Sequence, residues 1–220
     1  MTGLLLKDWK LLKNQGKYFL TVVLFAAMML FINSEEYTSF ATSYMTFLIT
    51  MFTLNSFSYD EYDNGMPHLF SLPISKKIYV QEKYIFAILI SVVGLTISTI
   101  ISVVVSLLLG EHYAMEEWIG ILSLSMFFVV LIQVVIMPTR IRFDAEKHKM
   151  AMLVVCGAMA AVVGGAFAIA EACGLDVESF FDGIFFTKAW VTFASVLILG
   201  AVFMWISYKL SLKFMEKREF

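Results

Sequence analysis

The stretch that decides the fold is 84–109, YIFAILISVVGLTISTIISVVVSLLL, which contains no Asp, Glu, Lys or Arg. A helix needs about 20 mostly apolar residues to cross a bilayer. This stretch is long enough to span the bilayer with tilt, or to begin outside it. It therefore predicts a transmembrane helix.

The composition of the whole chain also favours lipid as its solvent. The 220 residues are 60% hydrophobic and 15% charged, and the mean hydropathy is +0.82. A water-soluble domain of this length has too small a core to bury so much apolar surface. We predict an all-α integral membrane protein with a single transmembrane domain over 1–220. Its six predicted spans are 18–32, 40–58, 84–109, 118–137, 150–170 and 189–208.

The basic residues indicate which connectors face the cytoplasm. Fifteen of the 16 Lys and Arg residues lie in 1–17, 59–83, 138–149 and the tail after 208. The alternate connectors hold one basic residue, Lys188, among nine acidic residues. Because Lys and Arg are enriched in cytoplasmic loops, this alternation predicts six spans with both termini in the cytoplasm.

The N-terminal segment 1–17 predicts a helix that lies in the membrane interface. On a helix of 3.6 residues per turn, Leu5, Trp9 and Leu12 share one face, and lysines cluster opposite. A basic amphipathic helix with a Trp typically lies along the membrane surface. The alternative is a positively charged flank of the first span. We do not expect a cleaved signal peptide, because no convincing cleavage site follows the first apolar run.

Small and hydroxyl-bearing residues recur at helical spacing within the predicted spans. Such stripes allow close approach of membrane helices, which favours a packing role. A substrate-lining face and a subunit interface are the alternatives. The candidates for a substrate path or helix packing are Thr42, Thr46, Thr50, Thr53, Ser98 and Ser102, and those for close packing are Gly157, Ala161 and Gly165.

The connector 171–188 carries too many large apolar side chains for an exposed loop, including Phe180, Phe181 and Phe185. It predicts a short re-entrant or interfacial element before the sixth span. Backbone at that depth needs shelter from lipid by protein.

Motifs for catalysis and metal binding are missing. The sequence has no phosphate-binding G-x-x-x-x-G-K-[ST] and no H-E-x-x-H. His68, His112 and His148 lie in three different connectors, and Cys156 and Cys173 lack metal-ligand spacing. We expect no enzymatic activity, bound cofactor, metal or nucleic-acid partner. The absence of charge in the middle of the spans also disfavours a proton-driven carrier.

The connector 59–84, YDEYDNGMPHLFSLPISKKIYVQEKY, predicts a short cytoplasmic helix. The helix starts at Asp63 or its neighbour and ends by Pro73, and Ser75 can cap the next helix, 76–109.

One face of this short helix is apolar, because Met66, Leu69 and Phe70 follow each other at spacings of three and four residues. An apolar face in the cytoplasm needs a surface that buries it. The membrane surface and a groove of a partner protein both fit, and the pattern leaves the choice open.

The same connector resembles that of the permease subunits of type-2 ATP-binding-cassette exporters. The similarity is to the short Gram-positive kind, which includes the exporters of phenol-soluble modulins. That family shows an acidic residue, a Gly, a Leu-Ser-Leu-Pro-Ile-Ser-basic run and then Lys-Tyr. This chain has Gly65, LFSLPISK at 69–76 and Lys83–Tyr84, with Lys76 in place of the more frequent Arg.

The resemblance implies that the connector is a coupling helix, which docks on a separate ATPase subunit that binds ATP and Mg²⁺. It also implies two permease copies, or this chain with a sister permease, in a bacterial plasma membrane. The residues expected to act in ATPase coupling are Asp60, Glu61, Asp63, Gly65, Met66, Leu69, Phe70, Ser71, Leu72, Pro73, Ser75, Lys76 and Lys77.

The function expected from this resemblance is ATP-driven export of an amphipathic peptide, toxin or antimicrobial compound. An uncharged interior rich in Phe and Met suits such a substrate. The alternative is a membrane immunity or sensor protein that binds a toxin without transporting it. A stand-alone secondary carrier is a third hypothesis.

Overall fold

The computed structural model describes residues 2–32, 34–62, 65–71, 73–143 and 189–218, and the single positions 150, 153, 157 and 165. Over these residues the chain forms helices and no strand, which confirms the all-α class for this part of the chain. The seven helices are α1 (Thr2–Asn14), α2 (Gly16–Ile32), α3 (Ser34–Glu61), α4 (Gly65–Ser71), α5 (Lys76–Leu109), α6 (Met115–Arg142) and α7 (Ala189–Glu216).

Three of the described helices, α5, α6 and α7, are long and apolar enough to cross a membrane. They contain the predicted spans 84–109, 118–137 and 189–208. A fourth candidate arises if α1 and α2, which meet at a bend of 58°, count as one span. Large apolar side chains on the outer faces of these helices are exposed, for example Leu108 at 72% and Val191 at 67%. Lipid is the solvent that suits these faces.

The other three predicted spans do not each coincide with one long apolar helix. Residues 18–32 and 40–58 fall within α2 and α3. Helix α2 alone has 17 residues and is roughly 26 Å long, slightly short of the hydrocarbon core. Helix α3 has 28 residues but is less apolar than α5, α6 and α7. The span 150–170 and the re-entrant element lie outside the described residues, apart from the four isolated helical positions 150, 153, 157 and 165. The six-span count stays a prediction.

Helix α5 extends beyond its apolar run. It has 34 residues and is roughly 51 Å long, whereas the hydrocarbon core is roughly 30 Å thick. All four of its charged residues lie in the segment 76–83. This polar end therefore precedes the membrane-spanning part, 84–109.

The two larger of three clusters of buried side chains hold the described helices together. The first, here called the α4-end cluster, lies where α3 ends and α5 begins and draws on α3 to α7. Its buried members are Phe57, Met66, Tyr79, Val80, Tyr84, Ala87, Met137, Ile141 and Met215. The second joins α2, α3 and α5 through Ala26, Met45, Ile49, Phe86 and Ile90.

Helices α3 and α5 approach each other closely at Gly94. A Cβ at this position would lie 3.1 Å from Cγ2 of Ile49 and 3.6 Å from the carbonyl oxygen of Thr46. The absence of a side chain therefore sets the distance between the two helices.

Candidate functional site

The helix predicted in the connector is present as α4, between the last residue of α3 and the first of α5. Helix α5 begins where the sequence predicts, because the Ser75 hydroxyl accepts a hydrogen bond of 3.3 Å from the Ile78 amide. Pro67 lies in the first turn of α4, where its missing amide hydrogen costs nothing.

Gly65 permits the tight turn from α3 into α4. A Cβ on Gly65 would lie 2.7 Å from the carbonyl oxygen of Asp60. No side-chain carbon tolerates a contact this short, and the atom it meets belongs to the backbone. The first residue of α4 therefore packs against the last turn of α3 in a way that only glycine allows.

The apolar face of α4 is buried by this chain itself. Met66 is 6% exposed and belongs to the α4-end cluster, and Leu69 and Phe70 pack against that cluster. The ring of Phe70 lies edge-on to Tyr79, with centroids 5.7 Å apart. The sequence left this face to the membrane surface or a partner's groove. The structure corrects that expectation, because side chains of α3, α5, α6 and α7 provide the burying surface.

The opposite face of α4 points away from the bundle. Its exposed residues, together with those of the following turn, are Pro67, His68, Ser71, Pro73, Ser75 and Lys77. Two of the predicted coupling residues, Asp63 and Leu72, lie outside the described residues. A partner that approaches α4 from outside therefore meets a small polar and proline-rich surface.

Asp60, near the end of α3, lies in a buried network of charged groups. Lys83 of α5 places its ammonium 2.6 Å from Asp8 and 2.7 Å from Asp60. The side chains of Lys83 and Asp8 are fully buried, and that of Asp60 is 4% exposed. Tyr79 donates a hydrogen bond of 3.2 Å to Asp60, and Lys7 also pairs with this carboxylate. The network ties α1, α3 and α5 together beside α4.

Electrostatics keep this network charged. Burial alone would lower the pKa of Lys83, but Asp60, Asp8 and Glu82 raise it above its ordinary value. Burial would likewise raise the pKa of Asp8, but Lys83 and the Ser56 hydroxyl lower it. The ammonium and the carboxylate therefore stabilise each other's ionised form.

Glu82 lies in the same network but without the same support. Burial raises its pKa to about 7, with Asp8 adding to the effect and Lys83 opposing it. Within the described residues its two carboxyl oxygens have no hydrogen-bond partner. The network holds three carboxyl groups, Asp8, Asp60 and Glu82, against the ammonium groups of Lys7 and Lys83. A proton on Glu82 balances these charges.

Glu61, the neighbour of Asp60, forms ion pairs with a different set of residues. Its carboxylate oxygens lie 3.5 Å from Arg140 of α6 and 3.5 Å from Arg218, which follows α7. Arg140 also donates to the Ser58 hydroxyl at 2.6 Å. Two adjacent acidic residues therefore connect the end of α3 to separate groups of helices. Both were expected to act in ATPase coupling, and the structure places both in ion pairs within the chain.

The hydroxyl stripes of α3 and α5 face each other. Thr46 lies 2.6 Å from Ser98, and Thr42 lies 2.7 Å from Ser102, in each case between the hydroxyl oxygens. All four residues are buried, as are Thr50 and Thr53. Hydrogen bonds of this kind join membrane helices, so the geometry favours the packing alternative over a substrate path. Of the glycine stripe, Ala161 lies outside the described residues, and Gly157 and Gly165 are described only as isolated positions.

The three residues expected on the apolar face of α1 have different environments in the structure. Leu5 and Leu12 pack against the cluster formed by α2, α3 and α5. Trp9 is 51% exposed, next to Leu6 at 56%. The face towards the bundle also carries Asp8, so α1 is amphipathic in a different direction from the one expected. Trp9 and Leu6 are the apolar groups left to contact a membrane surface.

Sequence reasoning missed Asp8, Arg140 and Arg218 as partners of the connector. Asp8 carried a signal, because it is the sole acidic residue in 1–17 and lies near Leu5 and Leu12 on the helix. The two arginines carried none beyond their place in predicted cytoplasmic segments.

Comparison with known proteins agrees with this arrangement. No curated protein and no solved structure matches the chain. A family model described as ABC-2 family transporter protein matches residues 3–216. The match covers nearly the whole chain, including the three described apolar helices and the connector helix α4. The chain therefore belongs to the ABC-2 family of transporter proteins, which are membrane components of ATP-binding-cassette transporters.

Proposed function

We propose that this chain is the permease subunit of an ATP-driven exporter in a bacterial plasma membrane. It moves an amphipathic peptide, toxin or antimicrobial compound out of the cell, as one of two permease copies or together with a sister permease. A separate ATPase subunit binds ATP and Mg²⁺ and drives the transport. Family membership supports the permease role and the ATPase partner.

The observation that carries this proposal is the attachment of α4 to two long helices, α3 and α5. The helix is fixed to the end of α3 by the close contact at Gly65 and to α5 through the edge-on contact of Phe70 with Tyr79. Its outer face stays exposed at His68 and Ser71. A short helix held in this way transmits a push on its outer face to two long helices, as a coupling helix must.

The burial of the apolar side chains of α4 supports a proposal for which residues contact the ATPase. Met66, Leu69 and Phe70 support α4 from inside, so they act on coupling by positioning the helix. The contact with the ATPase falls to the exposed side chains of Pro67, His68 and Ser71. Consequently Leu69→Asp disrupts the fold of the permease itself, and the docking test needs substitutions at the exposed positions.

Affinity purification of the tagged permease from its own cells tests the proposal. We expect an ATPase to co-purify with the wild type, and His68→Glu to reduce its yield at least about tenfold, because it buries an unpaired charge in the docking interface. His112→Glu is the matched control, because this exposed histidine lies in the loop between α5 and α6, at the other end of α5. Absence of an ATPase, or equal binding by the His68→Glu variant, contradicts the proposal.

The substrate class is tested on the same complex in lipid nanodiscs. An amphipathic Leu/Lys model peptide is expected to stimulate ATP hydrolysis, whereas a water-soluble peptide of the same charge is not. A toxin-binding immunity protein that transports nothing gives no stimulation with either peptide. That result contradicts the export function while leaving family membership intact.

A further inference from the structure

Arg218, which follows α7, touches the residues at both ends of the connector that carries α4. Its guanidinium lies 3.5 Å from Glu61, the last residue of α3. Its carbonyl oxygen accepts a hydrogen bond of 2.5 Å from Lys76, the first residue of α5. The whole connector, residues 62–75, lies between these two contacts.

The same residue also binds α6. Its Nη1 donates a hydrogen bond of 3.2 Å to the carbonyl oxygen of Ile141. Arg140 of α6 pairs with the same Glu61 carboxylate, which gives a second connection between Arg218 and α6. The planar guanidinium points Nη2 at the carboxylate while Nη1 donates to the carbonyl, because its nitrogens have fixed directions. Arg218 therefore joins α3, α5, α6 and α7 at the base of the connector.

These polar contacts have little access to solvent. The side chain of Arg218 is 16% exposed and that of Glu61 is 9% exposed. Ion pairs on an open surface contribute little because water and salt screen them. Partial burial reduces that screening, so this pair holds its geometry better than a surface pair does.

Buried side chains of α4 and α7 belong to the same apolar cluster. Met66 of α4 and Met215 of α7 are both buried in the α4-end cluster. Leu69 of α4 and Leu212 of α7 pack against the same cluster from their own helices. A displacement of α4 relative to α7 would therefore open a packed core as well as break the ion pair.

From these contacts we infer that Arg218 is a positioning residue that clasps the two ends of the 62–75 connector and fixes α4 to α7. A displacement of α4 is then transmitted directly to α7, in addition to its transmission through α3 and α5. The clasp itself is a property of this chain alone. Its part in transport rests on the proposed function.

A distance measurement on the permease alone tests the clasp. Nitroxide labels are placed at His68→Cys on α4 and Lys213→Cys on α7, both exposed positions, in a background of Cys156→Ala and Cys173→Ala. Electron-electron double resonance in lipid nanodiscs gives the distribution of distances. The wild-type clasp predicts one narrow distribution. Arg218→Ala is expected to broaden it at least about twofold, because it frees a local equilibrium of open and closed forms.

Matched variants separate positioning from general destabilisation. Lys217→Ala removes the same charge from the exposed neighbouring residue and is expected to leave the distribution narrow. Arg218→Lys keeps the positive charge beside Glu61, whereas the backbone contact to Lys76 persists in every variant, so this variant is expected to restore most of the narrow distance distribution. Glu61→Gln combined with Arg218→Ala is expected to broaden the distribution no more than the larger single change, since both act on one contact.

The results that overturn the clasp are distinct from those that overturn the proposed function. A narrow distribution in Arg218→Ala, or equal broadening in Lys217→Ala, contradicts the clasp. In the complex, Arg218→Ala is expected to keep the ATPase bound while losing about tenfold of the peptide-stimulated hydrolysis, the loss expected when a coupling element is released. Unchanged stimulation there contradicts the role in transport, whereas failure of any ATPase to bind contradicts the proposed function.

Discussion

The ammonium of Lys83 lies 2.7 Å from the carboxylate of Asp60, and both side chains are buried. Lys83 belongs to the polar end of α5, and Asp60 to the last turn of α3. The pair joins the two helices on either side of α4 through a contact that water does not screen. Changes at this end of the bundle are therefore expected to affect the position of α4 as well as the stability of the protein.

Lys83→Met is expected to lower the free energy of unfolding by about 3–5 kcal/mol, because it leaves Asp8 and Asp60 buried without a full counter-charge. Denaturant titration in detergent micelles measures the change. Lys77→Met, an exposed lysine in the first turn of the same helix, is the control and is expected to be nearly neutral. A triple variant that also carries Asp8→Asn and Asp60→Asn is expected to recover part of the loss. Equal stability of the wild type and Lys83→Met would contradict the role assigned to the network.

Gly65→Ala is expected to displace α4, since the added Cβ would meet the Asp60 carbonyl oxygen at 2.7 Å. A cost of about 1–3 kcal/mol in unfolding free energy is typical of a backbone clash that relaxes only in part. Gly16→Ala provides the comparison, because a Cβ there has nothing within 4 Å and falls in the first turn of α2. If both alanine variants unfold alike, the packing of Gly65 against α3 does not constrain α4.

Glu82 is expected to make stability depend on pH. Its pKa rises from an ordinary value of 4.5 to about 7 in the folded protein, chiefly through burial. The folded state prefers the protonated form of Glu82. The contribution of this residue to the free energy of unfolding is therefore greatest below about pH 4.5 and decreases as the pH rises to about 7. The loss amounts to at most about 3 kcal/mol. Glu82→Gln is expected to abolish this dependence and to be more stable than the wild type at pH 8. Unfolding curves between pH 5 and 8 give the comparison, and parallel pH profiles for the two proteins would rule out this assignment.

Thr46→Val is expected to cost roughly 1 kcal/mol in unfolding free energy, because it removes the hydrogen bond to Ser98 between two membrane helices. Adding Ser98→Ala is expected to cost less than it does in the wild type, since the bond is already lost. Thermal unfolding of the two single variants and the double variant measures this coupling. Additive effects would mean that the two hydroxyl groups do not act on each other. Stability unchanged but peptide-stimulated ATP hydrolysis altered would instead favour the substrate-path alternative.

The parts of the fold that follow from local sequence were predictable. The apolar run 84–109 and the Ser75 cap define α5, because helix length and capping depend on neighbouring residues. The turn into α4 was predictable from Pro67 and the residues around it for the same reason. The threonines of α3 donate to backbone carbonyls of their own helix. Their contacts with the serines of α5 were not predictable, because these form only once the two helices are packed together.

The candidate site was predictable in position but not in orientation. The spacing of Met66, Leu69 and Phe70 gives an apolar face, yet periodicity does not say what buries it. The ion pairs of Lys83 with Asp8 and of Arg218 with Glu61 join residues 75 and 157 positions apart along the chain. No spacing rule relates residues so far apart, so these contacts emerge only from the packed bundle.

Because the apolar face of α4 points inward, the residues that hold the helix in place differ from those that a partner can contact. Met66 and Phe70 are constrained by this chain's own core, whereas His68 and Ser71 are free of that constraint. Related permeases can therefore keep the same apolar pattern and still differ in the ATPase they accept. Selectivity among several ATPases in one cell would then depend on a few exposed side chains, and exchanging them should transfer the preference from one permease to another.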